Sequence, residues 1–384
     1  MTLFSRLLGS RLLGSRVLGS RVLASLGLTC LTAAGTAHCA EGPTSEQRSA
    51  AASAIAHSSR SCIAAKPFYW EIGDQHAALA AAAEGASGPT ANTALAISSA
   101  SEWVFSAYVL QARAGKLDES QINALTMRSG YSNLQYDRCV QRAPGLRHQT
   151  VSDCFRALHL VGGSNADFRP AQVGKFFFNG AHSQQLAATD PRLGELGAAA
   201  LTGVIGDALG TAPAFIYDSP QVDAGIRTTP ASYAGFLRRI LSGQLLIRDQ
   251  LGSHAICTNP ARCPTALNTP MPQTENPHYS LGHWVEDDPR VGDGAFSDPG
   301  LLGFYPWIDA SRTYYGVLAR VSHAPGAHVI SLQCGRLIRK AWLTGRTSQG
   351  VLIQDRTVGL RIDQQRLDLS ETVAQRLRGL EKTR

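Results

Sequence analysis

The sequence has no long Pro- or Gln-rich tract, and no clustered Lys/Arg stripe interleaved with aromatics. The first absence argues against a low-complexity chain, and the second argues against a nucleic-acid-binding surface. Acids are missing from the start of the chain, where none precedes Glu41. The formal charge of +7 is therefore weighted toward that end, and falls to +3 without Arg6, Arg11, Arg16 and Arg21. Close-spaced Cys/His ligand pairs of the kind zinc requires are also lacking. Cys257 and Cys263 stand too far apart, with only His254 nearby. No metal and no cofactor is expected.

What is present is ordinary for a globular protein: 384 residues, 44% of them hydrophobic. That length can bury a substantial core in one large domain or two interleaved ones. The first 40 residues read as a secretory signal. A basic stretch, "FSRLLGSRLLGSRVLGSRVL", precedes the apolar "VLASLGLTCLTAAGTA" and small residues near Ala37 to Ala40. Its five-residue Arg-(Leu/Val)-Leu-Gly-Ser repeat stops with the leader and so is not a solenoid. A retained anchor is the alternative, but Gly and Ser break the apolar run and leave it short for a span. A periplasmic or secreted protein is expected, with no membrane span after cleavage.

Cleavage there leaves Cys62, Cys139, Cys154, Cys257, Cys263 and Cys334 in the mature chain. Cysteines exported to an oxidising compartment suggest disulfides. Sequence proximity favours Cys139–Cys154 and Cys257–Cys263, which leaves Cys62–Cys334; sequence alone does not decide the pairing.

Residues 44–61 are Ala/Ser-rich and suit a surface helix. "KPFYWEIGD" (66–74) is β-prone and ends on Gly73-Asp74, a hairpin signal, so "HAALAAA" can pair back. In "ALAISSASEWVFSAYVLQARAGKL", Trp103, Val104, Ala107, Tyr108 and Leu110 recur at helical spacing up to Gly115. A small-residue helix follows at 194–210. Another spans 228–243, with Thr229 as cap, Pro230 in the first turn and Gly243 at the far end. Strand-like segments return from 277 ("HYSLGHWVED", "FYPWIDA", "TYYGVLARV"), and "CGRLIRKAWLTG" closes as a helix. The expected class is α+β: an antiparallel sheet flanked by terminal helices, its first strands pairing with the last, with an inserted mainly helical region. The corresponding division is 1–40 leader, 41–95 with 245–345 sheet domain, 96–244 helical region and 346–384 tail.

Taken in order, several segments resemble the serine β-lactamase and penicillin-binding family, in its class C and esterase-like branch. They are "FYWEIGDQHAALA", "ISSASEWVFSAYVL", "MRSGYSNL", "AGIRTTPASYAGFLRRILSG", "YSLGHWV" and "GDGAFSDPGLLGFYPWIDASRTYYGVLAR", and the resemblance runs from about residue 66 to 342. The resemblance implies acyl transfer. A helix-opening Ser attacks, and a Lys one turn later on the same face takes its proton. A Tyr in a Tyr-x-Asn motif shuttles protons, and a basic inner-strand motif steadies the oxyanion. Placed on this chain, Ser99 is the nucleophile, but Glu102 stands where the Lys belongs. Phe178, beside Asn179, takes the place of the phenol. Gly292-Asp293-Gly294 matches the strand motif without its basic residue.

Ser99-Ala100-Ser101-Glu102 also fits a capping box, in which Ser accepts the N3 amide and Glu reaches back. Alternatively Glu102 acts as base, given a raised pKa. His182 is a substitute base or a structural histidine. Tyr131, in Ser129-Gly130-Tyr131, is expected at a turn near the site. The five tryptophans read as core, and Asp287-Asp288 as an exposed loop. Two functions follow: a serine hydrolase of small ester, amide or cell-wall-derived ligands, weakened by its lost Lys and Tyr, or a silent relative that binds such a ligand or a partner. A monomer is expected.

Overall fold

In a computed structural model the chain is described for residues 42–135, 139, 149–159, 163–212 and 214–347. The proposed leader and nearly all of the 346–384 tail lie outside them. Thr44 caps the first helix, α1 (Ser45–Ser58), through a capping box with Gln47, and α2 (Arg60–Ala65) follows at Ser59. A hairpin then forms from β1 (Phe68–Gly73) and β2 (Ala78–Glu84). Asp74 closes its turn by accepting the amides of His76 and Ala77.

The strands of the second half are β7 (Ile256–Cys257), β9 (His278–Tyr279), β10 (Trp284–Glu286), β11 (Ala295–Ser297), β12 (Tyr305–Ile308) and β13 (Tyr315–Ala319). With the hairpin they make one antiparallel sheet ordered β2-β1-β13-β12-β11-β10-β9-β7. The pairing of β1 with β13 joins the first strands to the last, Tyr69 facing Ala319 and Gly73 facing Tyr315. This is the expected α+β arrangement.

One face of the sheet is covered by α1, α2 and a long closing helix from Ala327 to Thr344, whose Leu332, Ile338 and Trp342 pack against Trp70, Trp284, Trp307 and Leu318. Cys62 and Cys334 are joined by a disulfide, as are Cys139 with Cys154 and Cys257 with Cys263. The closing helix is also pinned by charge. Arg336 and Arg339 both reach Glu286 on β10, and Arg339 also holds Asp293. All five tryptophans are buried.

The chain between the two groups of strands lies on the opposite face. Its central helix, α3 (Ser101–Ala112), is buried along Ser101–Leu110 on every side, the polar Ser101, Glu102 and Ser106 included. Around it are α4 (Glu119–Leu125), α5 (Val151–Arg156), α6 (Ala181–Thr189) and α7 (Ala198–Leu209). Next comes α8 (Pro230–Leu241), capped by Thr229 with Pro230 in its first turn. Small pairings tie this region together: β3 (Leu95–Ala96) with β6 (Ile226–Thr228), and β4 (Phe176–Phe177) with β8 (Ala266–Asn268). Among the described residues no helix is long and apolar enough to cross a membrane.

Candidate active site

Ser99 does not open α3. After β3 the chain turns through a 3₁₀ segment, Ser98–Ala100, and the α-helix begins only at Ser101. Ser98 stands in the left-handed region, φ +49°, a conformation costing an L-residue about 1–2 kcal/mol. Tertiary contacts hold this turn. The Ile97 amide donates to the Ile226 carbonyl at 3.1 Å, and the buried Tyr233 hydroxyl donates to the Ala100 carbonyl at 2.9 Å. The Trp103 amide donates to Asp298 Oδ2 at 3.1 Å.

No capping box forms between Ser99 and Glu102. The helix caps on Ala100 without a side-chain bond, because Glu102 points inward instead of back along its own turn. Its Oε2 accepts from the Tyr279 hydroxyl at 2.7 Å, while its Oε1 is buried without a partner among the described residues. Glu102 therefore does not hydrogen-bond the Ser99 hydroxyl. Two more buried acids, Asp298 and Asp223, act on it. Burial first, then the charges of Asp298 and Asp223, push the Glu102 carboxyl well above the usual carboxylate range, against the opposing bond from Tyr279. Burial likewise raises Asp298, opposed by the Trp103 amide. Among the described residues no lysine or arginine figures in the charges acting on either group.

The inner-strand segment at this turn is 298–300, not 292–294. A Cβ on Gly300 would stand 2.0 Å from the Ile97 carbonyl oxygen, so only glycine lets the strand end pass so close. Gly292, Asp293 and Gly294 instead form the turn between β10 and β11. Asp293 is committed there to Arg339 at 2.7 Å, and the Gly294 amide bonds back to Glu286. Gly-Asp-Gly is also an ordinary hairpin-turn sequence. The flanking Asp287-Asp288 is not a fully exposed loop either: Asp288 is buried and holds Arg290 and the Asn276 amide.

Phe178 packs on Tyr279 and Trp284, at ring separations of 6.0 and 5.6 Å, and so flanks the Glu102–Tyr279 pair with an apolar ring. Asn179 is spent on the backbone, accepting from the Leu134 and Ala181 amides. His182 is buried, its Nδ1 meeting Ser129 and its Nε2 the Phe177 carbonyl. Burial lowers its pKa to about 3, against the Phe177 bond, so the ring is neutral. Tyr131 lies against Phe155 and Phe168. Sequence reasoning missed Asp298, Asp223, Tyr279 and Tyr233, and no spacing signal marks them: Tyr279 is 177 residues from Glu102. Among the described residues no group of His, Cys, Asp and Glu is arranged to hold a metal.

The mixed helices and antiparallel sheet are structurally similar to solved β-lactamase and penicillin-binding proteins. The structure is similar to simvastatin synthase of Aspergillus terreus, with a TM-score of 0.51 and 13% identity over 77% of this chain and 99% of that one. Also similar are EstCE1, a hydrolase with promiscuous acyltransferase activity (TM-score 0.49, 13% identity, 78% and 99% covered), and a putative β-lactamase from Bacteroides dorei (0.46, 19%, 71% and 93%). No family model and no curated protein matches the sequence.

Proposed function

We propose that this chain is an exported protein of the serine β-lactamase fold whose Ser99 centre does not perform acyl transfer, and which serves as a ligand- or partner-binding relative of the hydrolases. One observation carries the reading. The group standing one turn after Ser99 is a carboxyl turned into the interior, hydrogen-bonded to Tyr279 and not to the serine. A serine hydroxyl needs a positioned base to become a nucleophile, and removing a general base costs roughly 10²–10⁴ in rate. The positive charge that would steady an oxyanion or a substrate carboxylate is also missing there, since an acid, Asp298, occupies the strand end beside the turn. A ligand held here is accordingly uncharged, which disfavours penicillins and carboxylate-ended cell-wall peptides.

The test treats purified protein with a chromogenic β-lactam, a chromogenic ester and a fluorophosphonate, mapping any adduct by mass spectrometry. Unmodified Ser99 and no β-lactam turnover are expected. An adduct on Ser99 would sink the reading. Restoring a base through Glu102→Lys together with Phe178→Tyr should not suffice, because Asp298 still stands where a cation would steady the oxyanion. Export is checked separately, by the location of the protein with and without residues 1–40.

A further inference from the structure

A second serine in the molecule has what Ser99 lacks. Ser129 follows α4 and is half-buried, and its hydroxyl lies 2.7 Å from His182 Nδ1 on the first turn of α6. The other ring nitrogen, Nε2, lies 3.0 Å from the Phe177 carbonyl oxygen. A carbonyl only accepts, so Nε2 carries the hydrogen and Nδ1 is left as a bare acceptor. The Ser129 amide also points at Nδ1, at 3.1 Å, which fixes the same tautomer. Nucleophile, base and orienting acceptor thus stand in line within hydrogen-bond reach.

The surroundings favour a reagent coming from outside. Gly130 has φ +86° and turns the chain away immediately after the serine. A Cβ there would meet Phe168 at 2.8 Å and Val173 at 3.0 Å. Those two side chains are 49% and 46% exposed, so they form an open apolar wall against Gly130, the residue next to Ser129.

We propose that Ser129 and His182 form a nucleophile–base pair, separate from Ser99, that accepts the acyl group of a short, uncharged, apolar ester. Ser129 Oγ attacks the ester carbonyl carbon as its proton passes to His182 Nδ1, and the carbonyl π pair moves onto oxygen. When the C–O bond breaks, the Nδ1 proton goes to the departing alkoxide, leaving an acyl-serine. Water then attacks with His182 again taking the proton, releasing the acid and restoring the hydroxyl. Nε2–H stays on Phe177 throughout. Among the described residues His182 bonds to Ser129 and the Phe177 carbonyl and not to a carboxylate, so turnover is slow and the acyl-serine accumulates best from esters with good leaving groups.

The full chain is treated with an alkyl fluorophosphonate and with 4-nitrophenyl butyrate. Trypsin, cutting at Arg113, Lys116 and Arg128, places Ser99 and Ser129 on different peptides. The expected adduct sits on the peptide that begins at Ser129, and Ser129→Ala abolishes it. His182→Gln slows it by roughly 10²–10⁴, with the melting temperature confirming that the variant folds. If it does not fold, the wild-type pH profile decides. A neutral His base gives a labelling rate that is level between pH 5 and 8, whereas a merely exposed hydroxyl gains about tenfold per unit through hydroxide. An adduct on Ser99 alone overturns this pair and the silent reading of Ser99 together. No adduct at all overturns the pair and leaves that reading standing. A rate climbing steeply with pH also overturns it.

Discussion

Replacing Glu102 with glutamine tests the buried acid cluster directly. The variant keeps the shape, and its amide oxygen can still accept from Tyr279, but it cannot ionise. In the wild type the folded carboxyl titrates well above its ordinary 4.5 because of burial and the nearby Asp298 and Asp223. A carboxyl raised on folding binds more protons in the native state than in the unfolded one. Between about pH 4.5 and the folded value, stability therefore falls as pH rises. The slope is about 1.4 kcal/mol per pH unit for one such carboxyl. In a domain of this size each kcal/mol moves the melting temperature by roughly 2–4 °C. The assay is calorimetry or urea unfolding of wild type and Glu102→Gln from pH 5 to 8. The expected result is a difference between the two that widens with pH in favour of the variant, by up to roughly 1.4 kcal/mol per unit. Titrating groups that do not act on Glu102 cancel in that comparison, including Glu286, which burial opposes but Arg339 and Arg336 bring down to about 2. A difference that stays constant across the range would refute the claim that Glu102 is held protonated.

Two further perturbations probe the anchoring of the closing helix. Arg339→Ala should cost about 3–5 kcal/mol in urea unfolding, since it leaves the buried Glu286 with one partner fewer. A loss under about 1 kcal/mol would show that Arg336 suffices. Removing the Cys62–Cys334 disulfide, by replacing both cysteines with serine, should cost about 2–5 kcal/mol. That cross-link spans 272 residues, and an unchanged transition would mean the unfolded chain is already held near closure.

The sequence shows its secondary structure where local chemistry is strong. Thr229-Pro230 marks the start of α8 and Gly73-Asp74 the hairpin because capping, fixed φ and turn formation act over a few residues. The ordered set of weakly matching segments also points to the fold, since hydrophobic period and order survive when identities do not. Two local patterns misled: Ser99 to Glu102 reads as a capping box, and Gly292 to Gly294 reads as a site motif. Both fit their sequence rule, but tertiary partners decide between the options a rule leaves open. Glu102 turns to Tyr279 and Asp293 to Arg339.

By itself, then, the sequence determined the α+β class and the presence of a glutamate, Glu102, three residues after Ser99. Tertiary structure alone decided that Glu102, Asp223 and Asp298 share one interior, that 298–300 borders the Ser99 turn, and that Ser129 meets His182. The physical reason is range. Backbone preferences act through bonded neighbours, whereas the proton affinity of a carboxyl or the reach of a base depends on charges and dipoles brought close by folding from distant positions in the chain.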